Sequence, residues 1–330
     1  MRWTFLVGGL LLVASNSWAN DTTAELTTGG LIYVQTTDVV MEEEDLYLSR
    51  EEVLVDYVFR NTSDKEVESI IAFPMPDVVG GAQNDVAVGD MESDNFLGFS
   101  VVQDSRQIKP ELQQRVLALG IDRTDDFEKH KIPVLPYSDK TAEALKALPA
   151  DVKADWISKG LIYVDSYDAG QGWQEEIRPA WTLRSAYWWK TSFPPNKPVR
   201  VSHRYKPSVG GTVAMTFIEG GKPVSNYKAY AERYCIDSAF MKTAARLEAA
   251  AAKSGPHYTE QWISYILTTG ANWSGPIGKF KLTVDKAREK DFVSFCGTGV
   301  KKVGPTTFEM SATDFYPQKD LHVLFLNAVE

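Results

Sequence analysis

The stretch Trp181-Thr182-Leu183-Arg184-Ser185-Ala186-Tyr187-Trp188-Trp189-Lys190, then Phe193-Pro194-Pro195-Asn196-Lys197-Pro198, then Val199-Arg200-Val201-Ser202-His203-Arg204-Tyr205, decides the fold class. Strand side chains change face at every residue. Trp181, Leu183, Tyr187 and Trp189 therefore share one face, and Thr182, Arg184, Trp188 and Lys190 the other. Past the proline corner, Val199, Val201, His203 and Tyr205 alternate with Arg200, Ser202 and Arg204. Each run has one face for a core and one for water, which predicts two strands joined as a hairpin.

The same period extends outward. Val53, Val55, Tyr57 and Phe59 alternate with Leu54, Asp56, Val58 and Arg60 before the turn Asn61-Thr62-Ser63-Asp64-Lys65. Val67–Phe73 follows and stops at Pro74-Met75-Pro76, since proline cannot donate to a ladder. Pro110, Leu112, Val116, Leu119 and Gly120 read as a helix with a proline near its start and a glycine at its end. A second helical stretch runs from Thr141 to Ser158 and is divided at Pro149. Asp237 caps a third, which ends at Gly255-Pro256. Trp262–Thr268 is apolar on both faces, as a central strand would be. The expected fold is mainly β with attached helices, arranged as one or two antiparallel β-sandwiches.

Arg2, the apolar run Phe5–Ala14 and the small residues of Ser17-Trp18-Ala19 predict a cleaved leader over 1–19. The remainder divides by sequence into 20–210, a sandwich with helical insertions, and 211–330, a helix plus β domain. The chain carries 35 basic and 44 acidic side chains, and loss of Arg2 leaves 34 against 44. Phosphate backbones select clustered Lys and Arg, so nucleic acid is not an expected partner. The apolar run is far short of the ~20 residues a spanning helix needs, so no transmembrane segment is expected after cleavage. The expected location is periplasmic or secreted. Two cysteines, Cys235 and Cys296, allow one intramolecular disulfide, with two free thiols as the alternative. Closing a loop of about 60 residues stabilises a fold by ~4 kcal/mol in the chain-entropy picture.

Several segments together resemble a family of exported Gram-negative proteins catalogued as a domain of unknown function. They are Asn20-Asp21-Thr22-Thr23-Ala24-Glu25-Leu26, Glu44-Asp45-Leu46, Tyr57-Val58-Phe59-Arg60-Asn61 leading to Phe73-Pro74-Met75-Pro76, Phe193-Pro194, His203 to Ser208, and Asn272-Trp273-Ser274-Gly275-Pro276-Ile277. The resemblance spans nearly the whole chain after the leader and implies membership without an activity. Val53 through Pro76 also resembles part of the vault/inter-α-trypsin β-sandwich module, which implies a sandwich and an interaction role.

No HExxH, HxH, CxxC or GxSxG spacing is present. The run Glu42-Glu43-Glu44-Asp45 offers oxygen ligands for a hard cation but alternates in direction, so it reads better as a solvated turn. The loop Asp77–Asn95 holds five acids without the spacing of an EF-hand. No metal or other cofactor is expected, and His203 reads as a core histidine. The candidate binding residues are Trp188 with Arg184, Arg200 and Arg204 as a cation–π ladder on one outer face, and Trp173 and Trp273 as exposed platforms. The expected function is a non-catalytic binding or envelope-associated module, with an envelope protein or glycan as partner. The alternatives are a hydrolase of envelope glycans or peptides working through a carboxylate pair, and a structural accessory protein.

Overall fold

A computed structural model describes residues 20–329 except 28–29, 82–85, 88, 169, 171 and 254. The expected leader lies outside the described residues. In chain order, β1 (Thr22–Thr27) pairs with β2 (Gly30–Val34), and β3 (Val39–Leu48) with β4 (Val53–Asn61). Next come β5 (Val67–Pro74), the short β6 (Val78–Val79) and β7 (Val86–Ala87), and the hairpin β8 (Ser100–Gln103) and β9 (Arg106–Ile108). Strands β10 (Glu111–Ala118) and β11 (Ile121–Asp122) precede helices α1 (Thr124–His130), α2 (Asp139–Ala147) and α3 (Ala150–Ser158). A ribbon of β12 (Ile162–Asp168) and β13 (Trp173–Pro179) leads to the long β14 (Thr182–Phe193) and to β15 (Pro198–Tyr205). After β16 (Val209–Thr212), β17 (Ile218–Glu219) and β18 (Lys222–Pro223) come α4 (Tyr227–Tyr234) and α5 (Ser238–Ala251). The chain finishes with β19 (His257–Tyr265), β20 (Ile277–Asp285), β21 (Phe292–Phe295), β22 (Lys301–Lys302), β23 (Thr307–Phe315) and β24 (Leu321–Val329).

Among the described residues, three large sheets organise most of these strands, while β12-β13 and β17-β18 form separate two-stranded ribbons. The first runs β11-β10-β14-β5-β1-β2, with β6 also on β14. The second and largest runs β22-β23-β20-β3-β4-β15-β8-β9, and the third β21-β24-β19-β16-β7. All pairings in the largest sheet are antiparallel except β20 on β3. That parallel contact joins residues 39–48 to 277–285, so one sheet draws on both 20–210 and 211–330. One core cluster holds Phe73, Tyr187 and Phe193 from the first sheet, Val55, Phe59, Val201 and Phe280 from the second, and Ile263 and Phe325 from the third. The mainly β, sandwich-like architecture is as the alternation requires.

The proline corner and the stretch from Pro110 to Gly120 differ from the reading of the sequence. The strands flanking the proline corner form no hairpin, because β14 joins β5 and β10 in the first sheet while β15 joins β4 and β8 in the second. Pro194, Pro195 and Pro198 lack amide hydrogens, and the chain crosses from one layer to the other there. Asn61 fixes this corner: its amide donates to Phe193 O (2.7 Å) and Lys65 O (2.6 Å), while its Oδ1 accepts from Ser63 N (2.9 Å). The stretch from Pro110 to Gly120 is not a helix but β10, paired with β14 from Glu111↔Trp188 to Leu117↔Thr182. Leu112 and Val116, four apart, share a face in a strand as well as in a helix. Leu119 breaks the strand parity and is 83% exposed.

The other two helical readings hold, whereas α1 and α4 start without a side-chain cap and were not read from the sequence. Pro149 precedes α3, and the Asp237 carboxylate accepts from Phe240 N at 2.7 Å to start α5. Helices α1 to α3 enclose a small core around Trp156 and Trp181, and the elements around α4 and α5 one that includes Leu324 and Leu326. Cys235, at the joint between α4 and α5, is bonded to Cys296 beyond β21, with Cα atoms 5.0 Å apart. No helix among the described residues is long and apolar enough to cross a membrane.

Candidate polar cleft on the largest sheet

Sheet register builds the candidate site. On the outer face of the second sheet, Thr313, Lys279, Glu43, Val58 and Arg200 form one cross-strand row. Ser311, Lys281, Asp45, Asp56 and Ser202 form the next. An open cleft of about 920 Å³ lies over these two rows. Paired strands place opposite side chains a few ångströms apart, so charges along a row interact directly.

Most of these charges are matched within the protein. Lys279 Nζ is 2.8 Å from Glu43 Oε1, and Lys281 lies 3.4 Å from Asp45 and 3.8 Å from Glu309. The Lys279 hydrogen bond and charge hold the Glu43 carboxyl below its ordinary value, with a smaller contribution from the Arg200 charge. Ser202 donates to Asp56. Arg200 is exposed, and among the described residues its guanidinium forms no ion pair. The cleft therefore offers one uncommitted cation beside the hydroxyls of Ser202, Ser311 and Thr313.

The four acids Glu42 to Asp45 are not a solvated turn but the middle of β3, and they go separate ways. Arg60 grips Glu42 through Nε (2.6 Å) and Nη2 (3.0 Å), Glu43 and Asp45 face the cleft, and Glu44 is buried. They do not converge on a cation. Among the described residues there is no group of three or more His, Cys, Asp or Glu arranged to hold a metal. Asp77 of the acidic loop binds Arg184, and Asp85 lies outside the described residues.

The expected Arg–Trp ladder is not assembled. Arg184 and Trp188 belong to the first sheet, Arg200 and Arg204 to the second, and their outward faces look away from one another because the two sheets share a core. Arg184 is held by Asp77 at 3.2 and 2.9 Å, and Arg204 by Glu52. Trp188 is half-buried opposite Glu111 and Ala72. Trp173 is exposed as expected, at 78%, at the start of β13. Trp273 is a correction: it is 3% exposed, packs on Phe59 with ring centroids 4.3 Å apart, and donates its indole N–H to Asp21 O at 2.9 Å. Of the expected binding residues, only Arg200 lines the cleft.

Asp56, Lys279, Lys281, Ser202, Ser311 and Thr313 were not singled out by sequence, and Glu43 and Asp45 were considered only as part of an acidic run. Their signal was the outward half of each alternation, Glu43/Asp45 and Lys279/Lys281. Those halves meet only through the parallel pairing of β3 with β20, about 235 residues apart in sequence.

His203 is a core residue, ringed by Phe73 and Phe99 with centroids at 4.7 and 5.0 Å. Burial lowers its pKa to about 3, so it stays neutral.

A family model for a domain of unknown function, DUF4424, matches residues 19–324. The chain is a DUF4424 protein. No curated protein matches it. Among solved structures, this DUF4424 chain is similar to a "putative nutrient binding protein" from Legionella pneumophila at 17% identity and a TM-score of 0.42. The alignment covers 94% of this chain and 70% of that one.

Proposed function

We propose that this DUF4424 chain is an exported, envelope-associated binding module whose cleft takes a polar ligand carrying an anionic group. The observation behind this reading is Arg200, a guanidinium without an ion-pair partner at the rim of a cleft where the neighbouring charges are already matched. A planar guanidinium presents paired donors to carboxylate, phosphate or sulfate, and the flanking hydroxyls can hold sugar or amide groups. The leader read over residues 1–19 and the Cys235–Cys296 bond support an oxidising compartment.

The hydrolase reading keeps one observation. Asp45 and Asp56 lie directly opposite each other across β3 and β4 in the cleft. Each carboxylate already has a partner, Lys281 or Ser202, which favours a binding floor over an acid–base pair.

The test is titration of the mature protein with fractionated envelope glycans and acidic peptides. Arg200→Ala should weaken capture at least ~10-fold, equivalent to ~1.4 kcal/mol, while leaving the melting temperature unchanged. Arg204→Ala, whose guanidinium is tied to Glu52 outside the cleft, should leave capture intact. Equal binding by Arg200→Ala and the parent would refute this assignment of the cleft. Turnover of a ligand that disappears in Asp45→Asn or Asp56→Asn would replace it with the hydrolase.

A further inference from the structure

The inner side of β3 and β4 carries a second polar cluster, closed to solvent. Asn20, Asp21 and Thr22 are each 0% exposed. A turn at 268–273 fastens them: Thr269 donates to Asn20 O (2.9 Å), Trp273 to Asp21 O (2.9 Å) and the Asn272 amide to Thr22 Oγ1 (2.8 Å). Glu44, 1% exposed, accepts from the Asn20 side-chain amide at 3.4 Å. Tyr57 donates to Asn20 Oδ1, and its hydroxyl lies 2.9 Å from that of Tyr265. His203 Nε2 approaches Asp21 Oδ2 to 3.5 Å.

Two carboxyl groups thus sit in the core beside Asn20, the first of the described residues. Among the described residues, no donor reaches either oxygen of Asp21 or Oε1 of Glu44. Among the described residues no Lys or Arg forms an ion pair with either. The neutral His203 does not supply a positive charge. Proteins seldom bury carboxyl groups this way, because an ionised carboxylate needs a cation and its lone pairs need donors.

We propose that the partner of these carboxylates is the chain's own α-ammonium, created at Asn20 when the leader is cut between Ala19 and Asn20. The cut converts an amide nitrogen into a cation with three donors. That nitrogen is a few covalent bonds from the Asn20 amide already in contact with Glu44, and one residue from Asp21. One ammonium balances one carboxylate, and the other keeps its proton and donates. Ser17-Trp18-Ala19 carries the small residues such a cut requires. Removal of the leader then completes the core as well as releasing the chain, and a one-residue error at the cut leaves the charge misplaced.

The experiment compares the protein recovered after export with a version engineered to retain Ala19 as its first residue. Mass and N-terminal sequencing of the exported protein should give Asn20. Its α-amine should react with an amine-labelling reagent at least ~100-fold more slowly when folded than in denaturant, since reaction must await opening of the buried segment. The version starting at Ala19 should label readily and melt about 5 °C or more lower. Glu44→Gln should narrow the gap between the two versions. A first residue other than Asn20, an Asn20 amine that labels equally fast folded and unfolded, or equal melting of the two versions would each overturn the proposal. The labelling arm uses the unsubstituted protein, so it stands even if Glu44→Gln does not fold.

Discussion

Glu43 and Glu44 are neighbours on one strand, yet the fold pulls their acidities apart. Glu43 faces the cleft, takes a hydrogen bond from Lys279, and ionises more readily than usual. Glu44 faces the core, where burial pushes its pKa up to about 8 despite hydrogen bonds from Asn20 and Tyr265. The difference lies in which side of the largest sheet each occupies. Outside, most charges are paired and all are wet, so they are inexpensive and replaceable. Inside, they are few, dry and dependent on particular neighbours.

The largest expected contrast is in packing. Phe73 is 0% exposed and meets Phe99, His203 and Tyr205 across the two layers. Phe73→Ala should lower unfolding free energy by about 3–5 kcal/mol in urea titrations. A loss under 1 kcal/mol would mean that the two sheets are not packed as described.

The next contrast is in pH dependence, in the version retaining Ala19. Glu44 is protonated in the folded state up to about pH 8 but ionises near its ordinary value when unfolded. The folded state then holds the extra proton, so stability is greatest below the ordinary carboxylate range and falls as pH rises through about 8. Asp21, raised by burial and by the Glu44 charge, acts in the same direction. His203 and His322, lowered to about 3 and about 4, bind fewer protons folded than unfolded, so they oppose the fall only up to their ordinary value near 6.5. Tyr57, Tyr205 and Tyr265 face the cluster but titrate above this range, raised chiefly by burial. Between about pH 6.5 and 8 the Glu44 effect is therefore unopposed and should cost roughly 2 kcal/mol. Glu44→Gln should flatten it, and the protein starting at Asn20 should show a smaller slope. A flat profile in the version retaining Ala19 would remove the distinction between the two glutamates.

Smallest is the outer face itself. Lys279→Ala breaks an exposed pair with Glu43 and should leave the urea unfolding midpoint almost unmoved, and less moved again in high salt. A larger shift would show that the cleft charges support the fold.

The difference between the two faces also governs how much could be read from sequence. The period of two sorted Val53, Tyr57, Leu183 and Val201 inward, and all four are buried. It could not say which sheet a strand joins, because partners are set by distant segments. Hence β14 and β15 looked like a hairpin, and Arg184 looked like a neighbour of Arg200. The cleft was hidden for the same reason, since its rows depend on β20 reaching β3. Trp273 was misjudged because nothing in its own stretch of sequence shows the acceptor, Asp21 O, that lets its indole be buried comfortably.

The parallel contact between β3 and β20 has a consequence for assembly. Long-range pairing slows folding, because loop-closure entropy is lost before any contact rewards it. Until residues 277–285 arrive, one edge of β3 presents unpaired amides and carbonyls to any passing chain. A fragment truncated before that strand would carry a permanent sticky border, and aggregation would be its expected fate.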